Sequence, residues 1–308
     1  MNWIKKGLIW KPKGDKPWSV THATAPTFLP LGRDAARIYF TCRDADNRSH
    51  VDWIEVDTAA DPWQVTAEAD RPALAPGPLG CFDDRGAMTS WLVKAGGVLY
   101  FYYTGWNLGG SVPFRLSVGL ALSRDGGLTF DKFSEGPLLD RNSVDPILVA
   151  SPAVIRDEGG WRMWYVSGLK WEETPDGPRH YYHIRHATSA DGRTWRRPGL
   201  VCIDHADQRE YAISRPSVLL TGAGYKMWYS YRASVKSAGY RLGYAESEDG
   251  LSWTRLDDQV GIDLSKEGWD SEMICYAHVF KHGQRTWMLY NGNGYGRSGL
   301  GCALLDET

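Results

Sequence analysis

Three acidic residues stand out by position. Asp84, Glu210 and Glu272 each lie a few residues upstream of a short apolar run, at 88–93, 215–220 and 276–281. Breaking a glycosidic bond takes one carboxyl held protonated and a second held ionised on the other side of the bond. Arg43, Arg215 and Arg232 are cations able to keep a neighbouring carboxylate ionised, whereas burial among aromatics raises the pKa of another. Which carboxyl is acid and which is base stays open. The arginines also offer planar two-pronged contacts to phosphate or carboxylate, which a neutral sugar does not require. Trp106 and Trp171 are placed to stack on a sugar ring or base, and His22, Asp145, Asp270 and Asn293 complete the expected ligand-binding set.

Each candidate has a structural alternative. Asp84, in Phe82-Asp83-Asp84-Arg85-Gly86, suits a turn cap. Glu210 and Arg215 suit an internal salt bridge. Asp270 and Glu272 flank Ser271, so one of them should face solvent, and Arg43 with Asp44 suits a loop ion pair of little energetic value. His22 and His278 are too far apart in sequence to signal a metal site, and no metal or other cofactor is expected.

The elements that position these residues follow from a repeat. Ser189-Ala190-Asp191-Gly192-Arg193-Thr194-Trp195 recurs as Ser247-Glu248-Asp249-Gly250-Leu251-Ser252-Trp253, and with one extra residue over 123–130. Each copy follows an alternating run, Asp-Gly supplies the positive φ of a tight turn, and the aromatic opens the next strand. Asp61-Pro62-Trp63 and Asn2-Trp3 are weaker copies. The aromatics Trp3, Trp63, Phe130, Trp195 and Trp253 are separated by 60, 67, 65 and 58 residues, and the remainder closes the cycle through the termini. A strand-filled period of this size predicts an all-β, five-bladed β-propeller with four antiparallel strands per blade, one domain over residues 1–308. The N-terminal strand is expected to complete the last blade beside residues 299–306, removing a free edge.

The second strands of the blades align as a column containing Tyr39, Tyr102, Trp164, Trp228 and Leu289. Repetition marks that column as core. What differs between blades is informative, as in Arg43, Trp106, Arg232 and Asn293 just beyond it. In an antiparallel blade the end of strand two and the start of strand one share a face. The candidate residues therefore belong to one rim, with the Asp-Gly turns on the opposite face as scaffold.

Composition narrows the function classes. A formal net charge of −2 gives no reason to expect nucleic acid or an anionic membrane surface as partner, and no apolar run approaches a membrane span. The five cysteines show no C-x-x-C spacing, and the N-terminus lacks the apolar core of a secretory signal. These features predict a cytoplasmic protein with free thiols. Oligomeric state is left open.

The Ala-x-Ser-x-Asp-Gly turns ending at Trp195 and Trp253, the aromatic second strands, and inner strands such as Ser151-Pro152-Ala153-Val154 resemble the five-bladed propeller glycosidases and phosphorylases of glycoside hydrolase families 32, 43 and 130. The resemblance spans the whole chain. It implies an Asp directly before the inner-strand Pro as base or nucleophile and a Glu two before it as acid. Here the first place holds Ala25, Met88, Ser151, Arg215 and Tyr276, and the second Thr24, Ala87, Ala150, Ser214 and Cys275. The expected function is a carbohydrate-active enzyme that cleaves or transfers a glycosyl group of a small anionic sugar, a nucleotide-sugar or a surface-polysaccharide precursor. The alternatives are a glycoside phosphorylase and a non-catalytic sugar-binding propeller.

Overall fold

The structure, a computed structural model, describes residues 1–233 and 239–306. Strands make up nearly all of its regular structure, and no helix among the described residues is long and apolar enough to cross a membrane. The antiparallel ladders fall into consecutive groups. The first comprises Thr21–Pro30, Ala35–Arg43, Ser49–Asp57 and Gln64–Glu68. The second comprises Gly86–Ala95, Val98–Leu108, Phe114–Ser123 and Asp131–Lys132. The third comprises Val149–Asp157, Gly160–Glu172, Arg179–Ser189 and Val201–Ile203. The fourth comprises Glu210–Thr221, Gly224–Ala233, Arg241–Ser247 and Thr254–Arg255. The last comprises Cys275–His282, Arg285–Asn291 and Leu300–Leu305, with Trp3–Trp10 from the start of the chain as its outer strand.

Single parallel pairings, Ser49 with Gly86 and Tyr182 with Ala212, join the first group to the second and the third to the fourth. The first strands also pack on one another in chain order, and that of the last group packs on that of the first. Residues 169–172 and 179–181 continue the hairpin of the third group, with Glu172 pairing opposite Arg179. Alternating aromatics explain the extension: Trp171 lies opposite His180 and packs edge-on against it at 5.4 Å.

The Asp-Gly turns are scaffold. Asp125, Asp191 and Asp249 accept backbone N–H bonds from the residues after the turn, for example Thr194 to Asp191 at 2.8 Å. An aromatic of the preceding group's second strand then seals each turn by donating to its glycine carbonyl. Tyr39 reaches Gly127 at 2.6 Å, Tyr102 reaches Gly192 at 2.7 Å, and Trp164 reaches Gly250 at 2.8 Å. The side chains that read as core in sequence thus also stitch neighbouring groups together. Each such buried bond contributes on the order of 1 kcal/mol net.

Candidate functional site

Every first strand carries a β-bulge near its start, between Thr24 and Thr27, Thr89 and Trp91, Ala150 and Ala153, Ser214 and Ser217, and Cys275 and His278. A bulge bends the strand and re-aims a side chain. In four of the five strands the residue at the bend has a positive φ: Ala25 at 53°, Ser151 at 46°, Arg215 at 52° and Tyr276 at 56°. None is glycine, so each carries backbone strain of order 1 kcal/mol that the surrounding sheet sustains. Prolines 26, 152 and 216 follow three of these bends, where no ladder N–H is required.

Ala25, Met88, Ser151, Arg215 and Tyr276 all face one cavity of about 380 Å³. These are the places where the resembled families hold their base or nucleophile. Arg43, Trp106 and Arg232 at the ends of second strands face it too, as do His22, His180 and the phenols of Tyr182, Tyr240, Tyr276 and Tyr295. No Asp or Glu lines it among the described residues.

The cavity is therefore cationic. Arg43 donates to the Asn47 side-chain oxygen at 2.7 Å, and no salt bridge reaches it among the described residues. Arg215 is fully buried and turns its guanidinium to the carbonyls of Thr89 (2.6 Å) and Pro26 (3.0 Å) and to Thr27 Oγ1 (3.0 Å). It clasps three first strands together, and burial without a counter-ion brings its pKa down to about 9. Burial, helped by Arg43 and Arg297, lowers His22 to about 4. Its Nδ1 lies 2.8 Å from Thr21 Oγ1, and Arg297 Nε donates to its Nε2 at 3.4 Å. Burial, helped by Arg232 and Arg179, lowers His180 to about 4 as well. His180 stacks flat on Tyr182 at 4.7 Å, and the Tyr182 and Tyr240 hydroxyls are hydrogen-bonded to each other. Burial holds Tyr240 and Tyr276 far above the usual phenol range. At neutral pH both imidazoles and these phenols are uncharged, and the arginines supply the cavity's charge.

Of the residues expected from sequence to meet a ligand, His22, Arg43, Trp106, Arg215 and Arg232 line the cavity. Trp171 stands behind it, packed on the lining residues Phe114 and His180. The acids do not converge there. Glu210 is buried and accepts both prongs of Arg255, at 2.7 and 2.9 Å, and the Ala206 N–H at 2.8 Å. The bulge between Ser214 and Ser217 turns Arg215 away toward the cavity, so the two do not pair. Asp84 is half-buried in a turn and accepts the Gly80 N–H at 2.9 Å. Glu272 is exposed, and its backbone N–H is held by Asn293 Oδ1 at 2.8 Å. Asn293 itself ties down the 268–273 segment, also donating to the Gly268 carbonyl at 3.0 Å.

Asp145 and Asp270 belong to a repeated arrangement in which a second-strand Tyr donates to a carboxylate that also meets a cation. Tyr165 and Arg197 hold Asp145 at 3.0 and 2.9 Å, while Tyr290 and Lys5 hold Asp270 at 2.9 and 2.8 Å. Tyr103 and Lys132 hold Asp83 at 2.8 and 2.7 Å, and Tyr229 and Arg255 hold Asp257. A feature repeated in four groups is scaffold, since a ligand site is needed once. Sequence reasoning missed His180, Tyr182, Tyr240 and Tyr295 as lining residues. Ser151 and Tyr276 were recognisable by their place before the inner-strand Pro or its equivalent, but only the bulge shows that they face the cavity.

No protein-family model matches the chain. It is 41% identical over 307 residues to the uncharacterized protein Rv1502 of Mycobacterium tuberculosis, covering 100% of both chains, and equally so to MT1551 of strain CDC 1551. Among solved structures it is similar to a glycoside hydrolase, with TM-score 0.74 and 20% identity over 98% of this chain and 90% of that one. A thermostable family-43 glycoside hydrolase gives 0.68 and 17% over 94% and 90%. A family-32 β-fructofuranosidase of Bombyx mori gives 0.65 and 17% over 92% of this chain and 61% of that one. At these identities the likeness is one of fold, and function rests on the site itself. The chain belongs to the family of the mycobacterial protein Rv1502, built on the fold of the propeller-type glycoside hydrolases.

Proposed function

We propose that the chain is a closed five-bladed β-propeller, its N-terminal strand completing the last blade, whose central cavity takes a small anionic saccharide and cleaves or transfers its glycosyl group. A nucleotide-sugar or a surface-polysaccharide precursor has the required chemistry. The observation that carries this reading is a cavity lined by Arg43, Arg215 and Arg232, with no Asp or Glu in its lining among the described residues. Charges of one sign in a walled cavity focus the field and favour a ligand of the other sign, and guanidinium forks suit phosphate or carboxylate. The fold shared with glycoside hydrolases supports a sugar as the body of that ligand. All five cysteines stand unpaired, which supports a reducing, cytoplasmic setting where activated sugars are made and used. Hydrolysis by a pair of carboxylates has no support in this lining. That same feature favours a second reading, binding without chemistry, which turnover measurements separate from the first.

The test is a melting-temperature screen of hexose phosphates and hexuronates against neutral hexoses and oligosaccharides. A ligand at a hundredfold its Kd stabilises by about 2.7 kcal/mol. With an unfolding entropy of about 2.1 cal/mol/K per residue over 308 residues, that is a rise of roughly 4 °C. Arg43→Gln should abolish the rise while leaving the unliganded protein folded. Neutral sugars that stabilise as well as anionic ones would overturn the reading.

A further inference from the structure

We propose that the anion bound in the cavity is the leaving group itself: the substrate is a glycosyl phosphate or diphosphate, joined through its anomeric carbon. This deepens the anionic-saccharide reading and rests on it. A sugar can carry its charge on the departing group, or on a remote position such as a carboxylate on the ring, and the composition of the lining separates the two.

An ordinary O-glycoside expels an alkoxide, which needs a positioned proton donor in the transition state. Among the described residues the lining offers no carboxyl. Ala25, Met88, Arg215 and Ser151 hold four of the base or nucleophile places, Arg215 with its guanidinium committed to backbone carbonyls, and at the acid places that line the cavity stand Thr24, Ala150 and Ser214, none of them a carboxyl. His22 and His180 are neutral at physiological pH, and Tyr276 at the fifth position is a firmly protonated phenol, a good hydrogen-bond donor and a poor acid. A phosphate needs no proton to leave, because its charge is already delocalised over its oxygens.

What such a reaction requires is cations where that charge develops. Tyr276 marks the place. It shares the cavity lining with Arg43 and Arg215 and packs at 5.4 Å on Tyr240, over whose ring the Arg232 guanidinium lies at 5.3 Å. The arginines therefore line the cavity together with a position where the resembled families hold their base or nucleophile. An anion gripped by Arg43 and Arg232 sits beside the reacting carbon, not at the far end of the sugar. In the reaction the anomeric C–O bond breaks and its electron pair passes to the phosphate oxygen. A new C–O bond forms to water or an acceptor hydroxyl, whose proton passes to solvent or to the released phosphate. No oxidant, reductant or metal is required for the balance.

The experiment compares isomers of equal charge. Glucose, galactose and mannose 1-phosphates are titrated by calorimetry against their 6-phosphates, with inorganic pyrophosphate, glucuronate and galacturonate as further arms. The wild-type chain and the Arg43→Gln and Arg232→Gln variants are used, each first shown to melt cooperatively. The expected result is that at least one 1-phosphate binds at least about tenfold more tightly than its 6-phosphate, that pyrophosphate competes with it, and that both variants lose this preference. If 6-phosphates or uronates bind as tightly as the 1-phosphates, or more so, the leaving-group inference falls and the anionic-saccharide reading stands. If none of these anions binds, both fall.

Discussion

Glu210→Gln separates a structural acid from a catalytic one. The glutamate is 6% exposed and holds three donors: two from Arg255 and the Ala206 N–H. Glutamine keeps the shape but has one carbonyl oxygen where the glutamate had two acceptors. Whichever way its amide turns, an NH₂ group opposes a donor from Arg255 or from Ala206. A buried donor left without its acceptor costs about 1–3 kcal/mol, and breaking a buried ion pair outright costs about 3–5 kcal/mol. Arg255 keeps Asp257 as a second partner, so the loss should fall near 2–4 kcal/mol. With an unfolding entropy of roughly 2.1 cal/mol/K per residue and 308 residues, the melting temperature should drop by about 3–6 °C. Calorimetric or fluorescence melting measures this, and titration with the anion that binds the wild type measures affinity per folded molecule, which should be unchanged. The opposite pattern would refute the reasoning. A melting temperature within about 1 °C of wild type, with turnover cut by the 10²–10⁴-fold typical of a lost acid or base, would return Glu210 to the reaction.

The histidines predict an acid-sensitive fold. His22, His180 and His186 are lowered to about 4 and His278 to about 3, each chiefly by burial. Their folded pKa values lie below the unfolded value near 6.5, so the unfolded chain takes up protons first. Stability is full above about pH 6.5 and declines as pH falls toward 4; a melting temperature that stays flat between pH 7 and 5 would contradict this. Ring closure predicts that Trp3→Ala is costly, since Trp3 is 5% exposed and packs edge-on against Trp228 at 5.9 Å. Removing such a side chain typically costs about 3–5 kcal/mol, and an unchanged midpoint in urea unfolding would count against the role assigned to the N-terminal strand.

The sequence by itself determined the repeat and most of what it implies locally. Spacing of the Asp-Gly turns, alternation in the strands and the aromatic column are properties of neighbouring residues. They placed the strands, the scaffold turns and the pairing of Trp3–Trp10 with Leu300–Leu305. They also placed Arg43, Trp106 and Arg232 where second strands end, because strand direction decides which end of a ladder a residue occupies. The fate of the acids was decided only by the tertiary structure. Asp145 meets Arg197 from 52 residues away, Asp270 meets Lys5 from 265 away, and Glu210 meets Arg255 from 45 away. A carboxylate brought out of water must find a cation or hydrogen-bond donors, and which one lies nearby is set by how the groups stack, not by local pattern. The bulges acted in the same way. A positive φ at a non-glycine residue has no dependable sequence signal, yet it turns Ser151, Arg215 and Tyr276 into the cavity. Asp145, Asp270 and Glu210 are tied into the scaffold, and Arg43, Arg215, Arg232 and Tyr276 line the cavity.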